Sequence, residues 1–325
     1  MAVDEKPSGM LKWAEYTLLF VAIALAGVLM PGFSYLAYVL LPLPVMFTVL
    51  RYDFKYGLLC LGGAALSLMY AFQPFRPELA LDLLQFGMFG LVLGLFFKYL
   101  ESSGRILALT ILVAVGLAVL AAGAAYQLNG QNPLVLNPEE RQMLTRQWAA
   151  MNQQMHLLEE EATPTAPGEE NDSFQYLTEV YQYYLPGQLV VTAAVTAAFT
   201  FILAMFLLGR YGFKVPPGPS FSGIYLPWYS IWALILALGL FLLGDNYNDL
   251  MAKVGKNTLF ILVNLYLIMG LAVLVYFFQI VKVSLLLKFL LVVIMLIIYP
   301  LSFIFLITIG AIDPLANFRR LPKLK

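Results

Sequence analysis

A few acidic and amide side chains interrupt otherwise apolar stretches of this sequence, and these side chains are the best placed to bind a ligand. Glu78 and Asp82 lie four residues apart, and Gln85 follows one turn later. Residues i and i+4 of a helix share a face, so the two carboxylates could together meet a cation or a polar molecule. A helix N-terminus that favours acids explains them equally well. We take all three as candidate ligand-binding residues.

Asn264 is the fourth candidate, because it is an amide inside an apolar run. Gln279 follows on the same apolar segment. Neutral amides of this kind often link membrane helices through hydrogen bonds worth about 0.6–2 kcal/mol. Interhelical bonding is therefore the favoured interpretation of both amides, and ligand binding by Asn264 is the alternative.

Motifs for nucleotide hydrolysis, metal binding and nucleophilic catalysis are missing from the sequence. There is no G-x-x-x-x-G-K-[ST] loop, no H-E-x-x-H and no G-x-S-x-G. The single histidine, His156, lies among Gln and Glu, and the single cysteine, Cys60, lies in an apolar run. We therefore predict that the chain is not an enzyme and that it binds no metal, no cofactor and no nucleic acid. An intramembrane enzyme built on dispersed polar groups is the weakest hypothesis.

The elements that position these side chains must be membrane helices. Of the 325 residues, 61% are hydrophobic and 12% are charged, whereas soluble chains carry about 25% charged residues. Apolar runs recur at the length of roughly 20 residues that crosses a bilayer. The sequence therefore predicts an all-α, polytopic helical membrane protein with about eight to nine transmembrane helices, in contact with the lipid bilayer. The expected spans are 11–30, 33–50, 55–73, 78–98, 105–127, 187–209, 227–245, 257–280 and 286–311.

One long polar insertion divides the chain into three predicted parts. Residues 1–127 form an N-terminal bundle of about five spans, and residues 187–325 form a C-terminal bundle of three to four spans with a basic tail. The insertion, 128–186, holds nine acidic residues against Arg141 and Arg146. We predict that it is an extramembrane segment of amphipathic helices, starting at Asn137-Pro138. Two apolar stripes indicate the helices: Leu144, Trp148, Met151, Met155 and Leu158, then Phe174, Leu177, Val180, Tyr181 and Tyr184.

Lys and Arg in short loops indicate the orientation. A cytoplasmic N-terminus collects the basic residues on one side and leaves the acidic insertion outside; these residues are Lys6, Lys12, Arg51, Lys55, Lys98, Arg105, Arg210 and Lys214. Nine crossings would place the basic tail outside, and eight would bring it in. The side of the C-terminus stays open at this point.

Prolines and glycines mark places where helices should bend or meet. Pro42 and Pro44 interrupt an apolar run, and we expect them to start or bend a short second helix. Pro300 should kink the last helix. The pair Gly90-x-x-x-Gly94 allows two backbones to approach closely.

Three landmarks carry a resemblance to a known family. They are the double-proline segment that ends Arg51-Tyr52-Asp53-Phe54-Lys55-Tyr56-Gly57, the stretch NLYLIMGLAVLVYFFQ from Asn264, and the tail GAIDPLANFRR from Gly310. In this order they resemble the YybS-type predicted membrane proteins of bacteria, from about Leu18 to Arg320. The acidic insertion and Asp53, where a small residue is usual, depart from that pattern. The resemblance implies a bacterial cytoplasmic membrane protein.

The N-terminal half is in turn distantly similar to the S subunits of energy-coupling-factor vitamin transporters. Those subunits capture a small molecule and dock an ATPase-containing module through Ala-x-x-x-Ala faces. Ala22-x-x-x-Ala26 matches that pattern, so the similarity implies partner docking at Ala22 and Ala26. We expect a small-molecule transport component that relies on a separate ATPase. The alternative is a structural or regulatory membrane protein that recruits partners through its insertion. The oligomeric state is left open.

Overall fold

The computed structural model describes residues 12–71, 77–130, 132, 134–136, 141–147, 169–213, 215–218, 220–281 and 284–320. All regular secondary structure in these residues is helical, which confirms the predicted all-α class. The helices are α1 (Lys12–Leu29), α2 (Ser34–Leu40), α3 (Pro42–Arg51), α4 (Phe54–Ala71), α5 (Pro77–Tyr99), α6 (Ser103–Asn129), α7 (Glu169–Arg210), α8 (Ser230–Tyr247), α9 (Asp249–Ile280), α10 (Leu285–Ile297) and α11 (Tyr299–Ala316). Short 3-10 turns lie at Pro31–Phe33 and Phe221–Gly223.

Seven helical stretches in the described residues are long and apolar enough to cross a membrane. They are Ser34–Arg51, Phe54–Ala71, Leu79–Tyr99, Ser103–Leu128, Thr178–Arg210, Asp249–Ile280 and Tyr299–Ala316. Three shorter apolar helices accompany them, within α1, α8 and α10. These stretches make the chain a multi-pass membrane protein, as predicted. The number of crossings depends on the three shorter helices.

The chain forms two compact units. The first comprises Met1–Val135 with Thr192–Gly218, and the second comprises Leu136–Val191 with Pro219–Lys325. Helix α7 contributes to both, since its residues fall on either side of the boundary after Val191. The three-part division at 127/128 and 186/187 stays a prediction.

Helix α3 is the centre of the first unit. Of the stretch Ser34–Arg51, 56% is buried, against 39% or less for each of the other six. Pro42 and Pro44 lie in the first turn of α3, where backbone N–H groups have no partner within the helix. The two prolines therefore begin a helix without removing an internal hydrogen bond, as the sequence predicted.

Two glycines let α5 lie directly against α3. A Cβ atom at Gly90 would collide with the carbonyl group of Pro42, and one at Gly94 would lie 2.7 Å from the Cβ of Val49. The predicted close approach at Gly90-x-x-x-Gly94 is confirmed. The C-terminal part of α7 joins the same unit, where the Thr200 hydroxyl donates to the carbonyl oxygen of Val39 at 3.0 Å.

In the second unit, α9 packs against α8 and α11. Helices α8 and α9 are joined by the single residue Asn248, and the Tyr266 hydroxyl of α9 donates to the carbonyl of Ser230 at 3.0 Å. Helices α9 and α11 cross at two glycines: a Cβ at Gly310 would lie 2.7 Å from the nitrogen of Gly270. Any side chain at these positions would separate the two backbones.

Helices α9 and α11 run in the same direction. Beyond the glycine crossing, the last turn of α9 reaches Ser222, whose hydroxyl donates to Gln279 at 3.0 Å. The end of α11 reaches the same residue, because Arg319 binds both Asp313 and the carbonyl of Ser222. The two helices thus meet first at Gly270 and Gly310 and then, further along both, at Ser222. They are therefore parallel, and α10 must carry the chain back between them. Its 13 residues extend about 20 Å.

This arrangement divides the predicted span 286–311 into two helices. The break falls at Ile298, with φ −99° and ψ 39°, and Pro300 lies in the first turn of α11. The sequence therefore located the bend correctly, but it did not reveal that the chain reverses direction there.

The described part of the insertion is also helical. Residues 141–147 form a helical segment, and Leu144 of the first predicted stripe lies in it. The second stripe belongs to α7, so the expected amphipathic helix and the expected span 187–209 form one helix of 42 residues with Pro186 inside it. The predicted helix start at Asn137-Pro138, the remainder of the first stripe and His156 lie outside the described residues.

Candidate functional site

Asp82 and Tyr38 form a polar contact within the apolar first unit. Asp82 lies on α5 inside the spanning stretch Leu79–Tyr99, and Tyr38 lies on α2. The Tyr38 hydroxyl donates to Oδ2 of Asp82 at 3.4 Å. Both side chains are half-buried. Asp82 is the fourth residue of that stretch. Carboxylates within membrane-spanning segments are rare and commonly mark ligand or ion pathways.

Phe86 packs against Tyr38, the residue that binds Asp82. It lies one turn further along α5, and its ring stacks on that of Tyr38 with centroids 4.8 Å apart and planes 15° apart. A carboxylate beside two stacked rings offers a charged acceptor and an apolar or cation–π surface at the same place. This combination suits a small molecule with hydrogen-bond donors or a positive charge.

The other two candidates on α5 extend the same segment. Gln85 is half-buried, three residues after Asp82. Glu78 lies in the first turn of α5, and its side chain is outside the described residues. In the described part of the chain, no group of three or more His, Cys, Asp or Glu residues could hold a metal ion.

Asn264, the fourth candidate, belongs to the second unit. Its Nδ2 donates to the carbonyl of Phe260 in its own helix at 2.8 Å. The structure therefore assigns Asn264 and Asp82 to different units. Gln279, by contrast, links two elements through its bond to Ser222, in agreement with the favoured prediction for this amide.

The two candidate docking residues lie on α1 away from its packed face. Phe20 and Ala24 of α1 are buried in the core, whereas Ala22 is exposed and Ala26 is half-buried. Leu18 and Leu29 are exposed on the same helix. The face of α1 that carries Ala22 and Ala26 is therefore not packed into the core of the first unit.

The turn 51–57 is held by a capping aspartate. Oδ1 of Asp53 accepts from the Lys98 ammonium group at 2.9 Å and from the backbone N–H of Phe54 at 3.0 Å. The hydrogen bond from Lys98, aided by that of the Phe54 amide, lowers the pKa of Asp53 below its usual value. The residue that departs from the YybS-type pattern therefore ties the start of α4 to the end of α5.

A buried ion pair at the C-terminal turn was not predicted from the sequence. Arg319 donates to Oδ2 of Asp313 through Nη2 at 2.6 Å and through Nε at 3.1 Å. Its Nη1 donates to the carbonyl of Ser222 at 2.8 Å. Oδ1 of Asp313 has no hydrogen-bond partner among the described residues. The available signal was an aspartate inside the apolar end of the last helix.

Asn257, which is 7% exposed, was also not predicted to be important. Its side-chain amide binds the backbone of α7 on either side of Pro186. The expected span 257–280 placed this residue at the edge of the membrane, where a polar residue needs no explanation. The helix in fact begins at Asp249, so Asn257 lies two turns inside it.

The comparisons with known proteins agree with the membrane architecture. A family described as "Predicted membrane protein (DUF2232)" matches residues 18–314. No curated protein and no solved structure matches the chain. Because the match extends over most of the 325 residues, the chain belongs to the DUF2232 family of predicted membrane proteins.

Proposed function

We propose that this chain is the substrate-binding membrane component of a small-molecule transport system and that it relies on a separate ATPase. The observation that carries the proposal is the half-buried carboxylate of Asp82 beside Tyr38 and Phe86. A membrane helix loses stability by holding such a charge in an apolar environment, and binding of a polar substrate is a function that would offset this cost.

The site favours a substrate with donor groups or a positive charge. The carboxylate of Asp82 accepts hydrogen bonds, and the stacked rings of Tyr38 and Phe86 provide a surface for an apolar or cationic group. Gln85 adds an amide that can both donate and accept. Glu78 and Asn264 remain candidate ligand residues, Glu78 one turn before Asp82 and Asn264 in the other unit.

The ATPase partner is inferred from the α1 surface. Ala22 and Ala26 leave room for a second helix to approach closely, and they match the Ala-x-x-x-Ala pattern with which S subunits dock their coupling module. The YybS-type resemblance implies a bacterial membrane protein without an assigned ligand and adds a lead toward small-molecule uptake.

We place the chain in the bacterial cytoplasmic membrane, with the N-terminus and the C-terminus in the cytoplasm and the insertion 128–186 outside. The basic residues of the short loops support a cytoplasmic N-terminus. The parallel course of α9 and α11 makes α10 a pass of its own, one more than the nine expected spans. Counting Ser34–Arg51 as one pass and each of α1 and α4–α11 singly gives ten passes, which brings the basic tail to the cytoplasm.

Native mass spectrometry of the purified protein tests the substrate. We expect a small molecule to co-purify with the wild-type chain. Asp82→Asn should reduce its occupancy about tenfold, as expected for loss of one hydrogen bond to a charged group. Glu101→Gln, which removes an exposed acid of the same unit, should retain it. If the wild-type chain carries no small molecule, or if both variants carry it equally, the substrate site is not at Asp82.

Affinity capture from native membranes tests the partner. We expect an ATPase with its membrane coupling subunit, and we expect Ala22→Leu with Ala26→Leu to abolish capture. Ala108→Leu is the matched control, because Ala108 is an exposed alanine on α6 of the same unit. If no ATPase is recovered and deletion of residues 141–168 removes the partners that are captured, the chain is instead a structural or regulatory protein.

A further inference from the structure

Helix α7 contains a proline where a continuous helix would need a backbone donor. Pro186 lies inside the helix Glu169–Arg210. It has no N–H group, and its ring crowds the carbonyl of the residue four positions earlier, so the backbone hydrogen bonds around it are weakened or opened. The next residue, Gly187, would donate to the carbonyl of Tyr183 in an undisturbed helix.

One side chain from α9 binds both of these backbone groups. Oδ1 of Asn257 accepts from the N–H of Gly187 at 2.7 Å, and Nδ2 donates to the carbonyl of Tyr183 at 3.0 Å. The second hydrogen of Nδ2 is donated to the carbonyl of Lys253 at 2.9 Å. Both hydrogens of Nδ2 and one acceptor site of Oδ1 are therefore used, and the bond to Lys253 fixes the orientation of the amide on its own helix. We call Asn257, Tyr183 and Gly187 the α7 clasp.

The chemistry of the clasp requires an amide. Asparagine carries a donor and an acceptor on one short side chain, so it can bridge the Gly187 N–H and the Tyr183 C=O, which a regular helix would pair with each other. Aspartate can accept but not donate, and leucine can do neither. Glutamine would hold the same group one methylene further from the α9 backbone.

Neighbouring contacts bring α7 close enough for the clasp. A Cβ atom at Gly187 would lie 2.9 Å from Oδ1 of Asn257 and 3.1 Å from the ring of Phe260, so only glycine fits there without displacement. The rings of Tyr184 and Phe260 lie 5.6 Å apart. The Lys253 and Lys256 ammonium groups lie 5.8 Å and 5.1 Å from the Tyr183 ring centroid.

The part of α7 before Pro186 also contacts the helical segment 141–147. Nη2 of Arg141 in that segment donates to Oε1 of Gln182 at 3.4 Å. The clasp therefore lies between the arm of α7 that contacts segment 141–147 and the apolar remainder of the helix.

We infer that the α7 clasp is a latch on a proline hinge, by which α9 sets the bend of α7 and the position of the arm Glu169–Leu185. When the latch is closed, Asn257 occupies the opened hydrogen bond and the bend has one value. When it is open, the arm pivots at Pro186-Gly187, carrying the segment that binds Arg141. This inference is independent of whether the chain carries a small molecule.

Distance measurements within α7 test the latch. Spin labels at Tyr176 and Phe199, both exposed, would be about 35 Å apart in a straight helix. With Cys60 replaced in every variant, we expect one narrow distance distribution for the clasped protein. Asn257→Leu and Asn257→Asp should broaden it. Thr258→Val should not, because the Thr258 hydroxyl bonds only the carbonyl of Val254 in its own helix.

Removing the proline separates a latch from ordinary contact between helices. In Pro186→Ala the helix can form its own Gly187-to-Tyr183 bond, so Asn257→Leu should then leave the distribution narrow. Amide exchange at Gly187 should accelerate about tenfold in Asn257→Leu alone, which corresponds to the loss of one hydrogen bond. An unchanged distribution in Asn257→Leu, or equal broadening with and without Pro186, overturns the inference.

Discussion

Arg319 and Asp313 form a buried ion pair that joins the C-terminal turn to the end of α11. Arg319 is 2% exposed and Asp313 is 4% exposed, and the guanidinium group also binds the carbonyl of Ser222. Asn317 ends α11 with a left-handed φ of 47°. The chain turns there, which brings Arg319 back to Asp313, six residues earlier. The end of the tail motif GAIDPLANFRR therefore folds back onto α11 and is held there by the ion pair.

Removing one partner of this ion pair should destabilise the protein strongly. We expect Arg319→Gln to lower the free energy of unfolding by about 3–5 kcal/mol, because Asp313 would then be buried without its counter-charge. Thermal unfolding in detergent measures the change. Arg320→Gln is the matched control, since Arg320 is exposed, and it should have little effect. Equal stability of the two variants would show that the pair contributes nothing.

The C-terminal turn should be accessible from the same membrane face as the segment before α8. Single cysteines in place of Phe221 and Arg320, both exposed, should react together with an impermeant thiol reagent added from one side. A cysteine at Tyr247, the last residue of α8, should react from the other side. The native Cys60 is buried and should contribute little background. Labelling of position 320 together with position 247 would contradict the parallel course of α9 and α11.

The glycine crossing between α9 and α11 should tolerate no side chain. Gly310→Ala places a methyl group against the backbone of Tyr266, so we expect a loss of about 1–3 kcal/mol in the free energy of unfolding. Gly239→Ala is the control, because no atom lies within 4 Å of a Cβ at that helical position. That variant should be neutral or gain about 0.5–1 kcal/mol. If Gly310→Ala left the free energy of unfolding unchanged, the two helices would not cross at Gly310.

The contact between Asp53 and Lys98 should make a small, pH-dependent contribution to stability. Because the folded protein lowers the pKa of Asp53, the stabilisation is present above the pKa of the unfolded chain, about 4. It is lost as the pH falls through the lower, folded pKa. The difference in melting temperature between wild type and Asp53→Asn should therefore be largest near neutral pH and vanish in acid. A difference that persists unchanged in acid would exclude the ion pair as its cause.

Local patterns in the sequence were sufficient to predict the all-α class and the effects of several prolines and glycines on the helices. Apolar runs longer than a bilayer requires can only be helical in lipid, because each backbone group must bond within its own segment. The helix start at Pro42 and the bend near Pro300 were predicted because proline has no backbone N–H. The close approach of two helices at Gly90 was predicted because glycine has no side chain. Each of these conclusions depends on residues close together in the sequence.

The packing of the helices against one another depends on contacts between residues that are distant in the sequence. No local pattern shows that Asn257 meets Gly187 or that Arg319 meets Ser222, because these partners are 70 and 97 residues apart. The sequence by itself determined a multi-pass helical membrane protein. Only the tertiary structure decided that Tyr38 faces Asp82, that α11 runs parallel to α9, and that an amide of α9 binds the backbone of α7 on either side of Pro186. Those facts depend on which helices pack together, and that choice is made by side-chain fit across the whole chain.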